Sequence, residues 1–259
     1  MSGLEAFDVA LVRASNPGPF TLTGTNTWVI GRGPAWVVDP GPDDPGHLDA
    51  VAAAVDERGG AAGVALTHDH ADHAAGAVEL ARRLGAPLAA ARGAVDVRLG
   101  GGDRFGPLEA IPVPGHAPDH LAYVAGRVCF TGDAVLGEGS VFVAGDLGAY
   151  LDGLRWLRER ELRLICPGHG PVVTDPAAKL DEYVAHRLDR ERRLVEALAD
   201  GARTADELLD RVWDDAPAAL RPAAAVTLGA HLDKLEAEGR LPAGVERPPV
   251  PDWLRGASI

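Results

Sequence analysis

The sequence predicts a mixed α/β fold of the α+β class, followed by a smaller helical domain. Two observations predict it. As far as residue 176, short apolar runs typical of strands alternate with helical patterns and with Gly- and Pro-rich turns. From Pro176 onward the apolar spacing is helical. We therefore assign residues 1–176 to a larger α/β domain and residues 177–259 to a helical domain.

Each element of the first domain is predicted from its pattern and its bounding residues. Strands are expected where apolar residues run between turn residues, and helices where apolar residues recur at three- and four-residue spacing. In chain order, the pattern predicts strands at residues 7–12, 27–30 and 35–39, a helix at 47–58, a strand at 64–66, a helix at 74–84, a strand at 87–91, an irregular Gly-rich segment at 92–107, a hairpin of 121–125 with 127–130, a helix at 147–160 and a strand at 162–166.

The second domain has the element order of a winged helix. A long amphipathic helix is expected at residues 179–198, a second helix opens at Thr204 through a capped first turn and runs to Trp213, and a third covers residues 222–237. A short turn or ribbon then starts at Gly239. Such a domain either binds nucleic acid or packs as a cap on the substrate side of the first domain, and the cap is the preferred interpretation.

Composition and charge exclude some classes of protein. The chain has 259 residues, of which 46% are hydrophobic, so it can bury a substantial core. Its formal charge of −13 disfavours a general nucleic-acid binder but not a nuclease, because two divalent ions would add about four positive charges to the cleft. No signal-peptide pattern and no apolar run of about 18 residues is present, so we expect a soluble, cytoplasmic protein without a membrane segment.

The two cysteines fit the same expectation of a reducing environment. Cys129 and Cys166 both lie in strand-like runs next to polar turns. We expect each to be a small buried hydrophobic side chain rather than half of a disulfide or a metal ligand.

A cluster of histidines and aspartates follows the apolar run at residues 64–66. His68 and His70 are two residues apart, so in an extended chain they point the same way and can bind one metal ion. Asp72 and His73 come where the chain turns into the next helix and suit a second ion. The alternative is a solvated polar turn with histidines that cap the helix. The spacing favours half of a two-metal site.

Three further residues with ligand chemistry follow strand-like runs in the same way. His116, Asp133 and His169 each come directly after a Gly-containing turn at the end of such a run. Because strand ends on one edge of a sheet are where sites are assembled, we expect these side chains to meet the cluster.

With these residues in view, the chain resembles the metallo-β-lactamase superfamily, whose pattern is His-x-His-x-Asp-His followed by His, Asp and His. The resemblance covers roughly residues 7–176 and implies an αββα sandwich with two metal ions, Zn²⁺ by default and Mn or Fe as alternatives. It implies that His68, His70 and His116 bind the first ion, that Asp72, His73 and His169 bind the second, and that Asp133 bridges them. It also implies that Asp39 supports the metal loop, although Asp39 could equally cap a turn.

A narrower resemblance concerns the substrate. Segments at residues 16–19, 24–27 and 131–139, together with His186-Arg187 and the stretch from His231 to Leu235, are similar to the beta-lactamase-like endoribonuclease subfamily, of which the mitochondrial member cuts single-stranded RNA. This implies a phosphodiesterase of single-stranded RNA. Glyoxalase II, a thioester hydrolase of the superfamily, is the nearest rival and implies a small ester, thioester or lactone substrate. A nucleic-acid-binding module with a vestigial metal site is the third interpretation, against which the complete ligand set argues. The oligomeric state stays open.

The predicted chemistry gives several residues roles beyond metal binding. Metal ions held by Asp72 and Asp133 would supply hydroxide at neutral pH without a serine or cysteine nucleophile. His120, four residues after His116, is a candidate proton donor to the leaving group, with a structural histidine as the alternative. Tyr150 is a candidate for the substrate pocket and could equally be a packing residue.

A basic run on the first helix of the second domain is the last candidate site. Arg190 and Arg193 are three residues apart and share a helix face, as do Arg187 and Arg190, so their guanidinium groups could hold a phosphate backbone beside the metals. The alternative is a solvated face of ion pairs, since Asp189 and Glu191 lie between them.

Overall fold

Two β-sheets form the centre of the first domain in the structure, a computed structural model that describes residues 3–249 and 251. The first sheet has the order β1-β2-β3-β4-β5-β6 and the second the order β11-β10-β9-β8-β7. The strands are β1 (Val9–Arg13), β2 (Asn26–Ile30), β3 (Ala35–Val38), β4 (Ala61–Ala65), β5 (Leu88–Ala90), β6 (Val97–Arg98), β7 (Arg104–Phe105), β8 (Leu108–Pro112), β9 (Leu121–Ala125), β10 (Val128–Gly132) and β11 (Leu164–Pro167). Both sheets are mixed, with β3 to β6 parallel in one and β10 beside β11 parallel in the other.

The helices cover the outer faces of the two sheets and then form the second domain. They are α1 (Pro45–Asp56), α2 (Ala71–Ala74), α3 (Ala77–Leu84), α4 (Leu147–Arg158), α5 (Pro176–Ala199), α6 (Ala205–Val212) and α7 (Arg221–Ala237). The predicted elements are present with ends shifted by a few residues. The predicted helix at 74–84 is interrupted at Gly76, where a side chain would collide with Leu48 of α1 at 2.7 Å. The segment at 92–107 contains the short edge strands β6 and β7, which its Gly-rich sequence concealed.

The core shows why the sheets stack with helices outside. Trp28 and Val38 of the first sheet pack with Phe130 of the second in one apolar cluster between the sheets. The opposite face of the first sheet packs on α1 and α3, and the opposite face of the second packs on α4 and the start of α5. Alternate residues of each strand thus enter different clusters. The αββα sandwich implied by the resemblance is confirmed.

The second domain is a helical unit with its own core. Leu194 of α5, Leu208 of α6 and Leu228 of α7 are fully buried in one cluster. The capping box predicted at Thr204 is present, with Glu207 as its partner. In the described residues after α7 no strand forms, so the expected ribbon is an irregular turn there. Helix α5 packs against both α4 and α6, so it joins the two domains, and the boundary at 176/177 stays a prediction.

Two smaller expectations concern the cysteines and membranes. Cys129 and Cys166 are both free and buried, and burial raises the pKa of each thiol. They pack in the strands as the sequence predicts. Among the described residues no helix has the length and apolarity needed to cross a membrane.

Candidate metal centre

The predicted ligands come together at one edge of the sandwich. The chain leaves β4 into the His-rich segment, and the ends of β10 and β11 lead to Asp133 and His169. Two glycines allow this close approach. A side chain on Gly132 would collide with Thr67 at 2.3 Å, and one on Gly168 would meet the carboxylate of Asp133 at 2.5 Å. The Gly-containing turns therefore bring the strand ends close enough for their side chains to share a ligand.

The seven residues form groups with metal-binding geometry. In each group the ligand atoms lie within 4.8 Å of one another. The groups are His68 with His70 and His116, Asp72 with His73 and His169, and His68 with His73 and Asp133. The first two match the two ligand sets implied by the resemblance. The third places Asp133 beside residues of both.

Asp133 lies between the two outer groups. Its Oδ2 atom is 3.5 Å from Nε2 of His116 and 3.3 Å from Nε2 of His169, while Oδ1 is 3.4 Å from Nε2 of His73. On the far side, Oδ2 of Asp72 is 3.1 Å from Nε2 of His169. A carboxylate in this position can contribute one oxygen to each of two neighbouring cations.

Asp39 orients ligands from both outer groups. Its Oδ2 accepts hydrogen bonds from the Thr67 hydroxyl (2.8 Å) and from Nδ1 of His73 (3.0 Å). Because the Thr67 hydroxyl donates to Asp39, it accepts from Nδ1 of His68 at 2.9 Å. Both histidines therefore carry hydrogen on Nδ1 and point the lone pair of Nε2 into the site. Asp39 has φ 52°, a left-handed conformation that aspartate adopts more readily than most residues.

The unpaired atoms of the cluster fit a bound cation. Nε2 of His68 and Oδ1 of Asp133 are buried and lack a hydrogen-bond partner among the described residues. Nδ1 of His70 faces Nε2 of His116 at 2.9 Å, and Nε2 of His73 faces Nε2 of His169 at 3.2 Å. Such convergence of acceptor atoms is costly in a protein interior unless a proton or a metal ion lies between them.

The protonation of the cluster shows the same need for positive charge. Burial opposes the charged form of His169, but the Asp133 carboxylate outweighs it and raises the pKa of the imidazole to about 9. Burial likewise acts against protonated His73, and Asp72 and Asp133 raise its pKa well above the usual value. The carboxylates therefore favour positive charge at these rings, which a bound cation would also supply.

Sequence comparison identifies the family. A model described as the metallo-beta-lactamase superfamily matches residues 20–99 and 95–169, more than half of the chain. The chain belongs to the metallo-beta-lactamase superfamily. A model described as the beta-lactamase associated winged helix domain matches residues 204–242, which confirms the predicted character of the second domain.

Relatives of this superfamily match the chain over most of its length. It is 31% identical to the Beta-lactamase-like protein 2 homolog of Caenorhabditis elegans, over 96% of this chain and 90% of that protein. It is 35% identical to an atrochrysone carboxyl ACP thioesterase of Aspergillus chevalieri, over 81% of this chain and 74% of that protein. A metallo-beta-lactamase family protein of Thermus thermophilus shares the fold with a TM-score of 0.72 and 24% identity, over 90% of this chain and 94% of that one.

His120 lies against the backbone of Asp133. It is 1% exposed, stacks on His68, and its Nε2 accepts a hydrogen bond from the backbone N–H of Asp133 at 3.1 Å. It does not line the cavity that opens on the metal centre. This placement favours the alternative of a structural histidine that holds the Asp133 backbone, and the proton-donor role stays an untested prediction.

Tyr150 is also placed away from the substrate side. Its side chain is fully buried, its hydroxyl donates to the backbone oxygen of Ala134 at 2.6 Å, and its ring fills the space left by the missing side chain of Gly115. These contacts identify it as a packing residue of the loops that carry His116 and Asp133, so the predicted pocket role is corrected.

The predicted arginine track is paired with acidic residues of the chain. Arg190 is 5% exposed, and its guanidinium group pairs with both carboxylate oxygens of Asp215 at 2.7 and 2.8 Å. Arg193 pairs with Asp214 at 2.6 Å. The two arginines share a helix face as predicted, and in this structure that face is paired with the acidic loop after α6, so the role of the track in phosphate binding stays a prediction.

The cavity above the ligands reveals residues that the sequence did not single out. It has a volume of about 540 Å³ and reaches His70, Asp72, His116, Asp133 and His169. Its walls away from the ligands are mainly apolar and come from residues 19–22, 136–142 and 220–223. Phe20, 47% exposed, lies edge-on to Phe142, whose ring is 4.5 Å from that of His116. The sequence signal that could have indicated this wall was the aromatic residue Phe20 directly after the turn at residues 16–19.

Proposed function

We propose that this protein is a dinuclear metal-dependent hydrolase of acyl thioesters. The observation that carries the proposal is the lining of the cavity beside the metal ligands, where the described residues include no lysine or arginine. Its apolar residues are Pro19, Phe20, Leu22, Ala71, Leu136, Val141, Phe142, Leu220 and Ala223. Of the lining that the structure describes, Glu138 is the one charged residue besides the metal ligands.

This lining suits an uncharged acyl group better than a polyanion. Contact between apolar walls and an apolar ligand removes apolar surface from water, which favours binding. A phosphate chain instead needs cationic groups along its path. The aromatic pair Phe20 and Phe142 adds a platform next to His116. A relative named as an ACP thioesterase supports the same class of reaction.

The ligand groups support two metal ions, which we take to be Zn²⁺, with Mn or Fe accepted by the same donor set. His68, His70 and His116 would hold one ion, Asp72, His73 and His169 the other, and Asp133 would contribute to both. When bound, such ions would lower the pKa of coordinated water to about 7 and would polarise a carbonyl group.

The side chains of the protein provide the rest of the reaction. Asp39 and Thr67 fix the ring nitrogens of His68 and His73 toward the reacting centre. His120 holds the backbone of Asp133 in place. The aromatic and aliphatic wall orients the acyl group and excludes water from the rest of the cavity. A thiolate leaving group does not require a proton donor as strongly as an alkoxide, so the described lining is adequate without a general acid.

Single-stranded RNA is the second candidate substrate. The segments that resemble the beta-lactamase-like endoribonucleases and the match to the winged helix domain support it. The absence of cationic residues from the described cavity lining and the pairing of Arg190 and Arg193 argue against it.

The test compares both substrates on zinc-loaded protein. An acyl N-acetylcysteamine thioester with an aromatic acyl group and a labelled single-stranded RNA are incubated in parallel with wild type, with Asp133→Ala and with the exposed control Asp152→Ala. We expect thioester hydrolysis by wild type and Asp152→Ala only. RNA cleavage that depends on Asp133, without thioester hydrolysis, would overturn the proposal in favour of RNA.

A second comparison tests the cavity wall. Phe20→Ala is expected to lower kcat/KM for the aromatic thioester by about tenfold, from the lost apolar contact. Val78→Ala, which removes a 66% exposed side chain from α3, is the matched control and should leave kcat/KM unchanged. Equal kinetics for the two variants would place the acyl group elsewhere.

A further inference from the structure

A second cavity adjoins the first on its α5 side. It has a volume of about 440 Å³ and lies between α5, the residues before α7, and the segment at residues 139–142. The segment at 139–142 also lines the first cavity, as do Leu220 and Ala223. The two cavities are therefore neighbours that share these residues of their lining.

Arg187 brings a buried positive charge to this second cavity. The residue is 2% exposed, and its Nη2 donates to the hydroxyl of Ser140 at 3.0 Å and to the backbone oxygen of Val141. Its Nε atom is buried without a hydrogen-bond partner, and no carboxylate of the described residues forms an ion pair with it. Buried guanidinium groups are normally paired with an anion, since desolvation of the charge is costly.

The acidic residues around the cavity are already used by other cations. Both carboxylate oxygens of Asp215 accept hydrogen bonds from Arg190. Glu182 forms an ion pair with Lys179 at 2.9 Å. These are the acidic residues of the lining that the structure describes, so neither neutralises Arg187. Besides Ser140 and the Val141 carbonyl, the guanidinium group of Arg187 contacts the Tyr150 ring, whose centroid is 5.9 Å from Cζ, and none of these neighbours carries a negative charge.

A neighbouring histidine shows the effect of this uncompensated charge. Burial, followed by Arg187 and Arg190, lowers the pKa of His186 to about 4, so the ring is neutral at pH 7. Its Nε2 accepts a hydrogen bond from Nε of Arg190 at 3.3 Å, which leaves the hydrogen on Nδ1. His186 lines the cavity and brings a second donor to it.

We propose that the second cavity binds a phosphate group on the thiol arm of the thioester substrate, with Arg187 as its counter-charge. The proposal rests on the proposed thioesterase function and specifies the leaving group. The acyl group occupies the apolar first cavity, the thioester lies over the metal ligands, and the thiol arm passes along residues 139–142. A guanidinium group is well suited to phosphate because its donors match two phosphate oxygens.

The experiment uses two substrates that differ by the phosphate alone. Kinetics of zinc-loaded protein are measured with an S-acyl-4'-phosphopantetheine and with the same S-acyl-pantetheine, for wild type, Arg187→Met, Arg187→Lys and Arg192→Met. Arg192 is the matched control because it lies on the same helix and is exposed and paired with Asp189 and Glu196. We expect wild type and Arg192→Met to prefer the phosphorylated substrate by about tenfold in kcat/KM.

The Arg187 variants separate phosphate binding from a purely structural role. Arg187→Met should lose the preference while it retains hydrolysis of S-acyl-pantetheine, and Arg187→Lys should retain part of the preference. Equal kcat/KM of wild type for both substrates would overturn the proposal. So would an equal loss on both substrates in Arg187→Met, which would mean that Arg187 only supports the wall at residues 139–142.

A binding measurement decides the site if wild type hydrolyses neither thioester, which would be the failure of the proposed function. Thermal unfolding is then compared in potassium phosphate and in potassium chloride of equal ionic strength. Phosphate should raise Tm of wild type and Arg192→Met more than that of Arg187→Met, since binding to the folded state stabilises it. The same increase in all variants would overturn the site.

Discussion

The metal centre and the basic face of α5 both contain buried charged side chains, but they satisfy them differently. At the metal centre, acceptor atoms of His68 and Asp133 converge without donors, and nearby imidazoles take up protons. On α5, Arg190 is held by Asp215 through two hydrogen bonds and needs nothing further. Buried polar atoms that converge without hydrogen-bond partners therefore indicate a ligand site, whereas a run of charged residues in the sequence does not.

The same criterion distinguishes two arginines on one helix. Arg187 and Arg190 are both buried and three residues apart, yet Arg187 has no carboxylate partner among the described residues. From the sequence alone, the two residues are equivalent arginines on one face of a predicted helix. The position of the acidic loop after α6 separates them, and local sequence does not encode that position.

The largest expected effect comes from removing a metal ligand. His169→Ala should lower kcat/KM by more than about a thousandfold, because the ligand group with Asp72 and His73 becomes incomplete. Hydrolysis and zinc content are measured together, with exposed Asp152→Ala as control. Near-normal turnover at saturating zinc would show that His169 is not a ligand.

A smaller loss is expected when the support of the ligands is removed. Asp39→Ala should weaken metal affinity by about 10- to 100-fold, because His73 loses its hydrogen bond and the Thr67 hydroxyl that orients His68 loses its acceptor. Chelator competition measures the affinity, and Asp43→Ala, an exposed aspartate of the same loop, is the control. Unchanged metal affinity in Asp39→Ala would mean that Asp39 only stabilises the turn.

The role of His120 is tested by a substitution that keeps its acceptor. In His120→Gln the amide oxygen can still accept from the Asp133 backbone, so activity should fall by less than about tenfold, below the 10- to 100-fold range typical of residues that support a metal site. The pH profile of kcat should keep its shape. A loss as large as that of His169→Ala, with folding intact, would restore the proton-donor role.

Local sequence patterns predict much of the fold and of the candidate ligand cluster. The spacing of His68, His70, Asp72 and His73 after β4 depends on strand and helix geometry alone. The edge strands β6 and β7 were not predicted, because two-residue strands in a Gly-rich segment have no periodicity of their own. The split between α2 and α3 depends on the distant side chain of Leu48.

Residues whose role depends on distant packing were assigned less well. His120 lies four residues after His116 and was a candidate proton donor, but the loop places its Nε2 against the backbone N–H of Asp133. Phe20 and Phe142 are far apart in sequence and meet only when the loops fold over the ligands. Sequence reasoning therefore predicted which residues come together in the His/Asp cluster more fully than which residues form the cavity walls.

The next effect is on stability rather than chemistry. Arg190→Ala should lower the free energy of unfolding by about 2 kcal/mol, since the Val212 carbonyl and Asp215 lose their donor and part of Asp215 is exposed to water. Denaturant unfolding measures it, with exposed Arg192→Ala near zero as control. If Arg190→Ala were as stable as wild type and instead lost affinity for RNA, the pairing would not be the role of Arg190.

The smallest expected effect belongs to Tyr150. Burial raises the pKa of its phenol to about 12, so the hydroxyl stays protonated and donates to Ala134. Tyr150→Phe removes that donor and should lower the free energy of unfolding by about 1 kcal/mol while KM stays unchanged. Leu151→Ala, a neighbouring core truncation without a hydroxyl, serves as the comparison for general loosening of α4. A KM raised severalfold in Tyr150→Phe at unchanged stability would mean that substrate reaches the hydroxyl, and the packing role would be wrong.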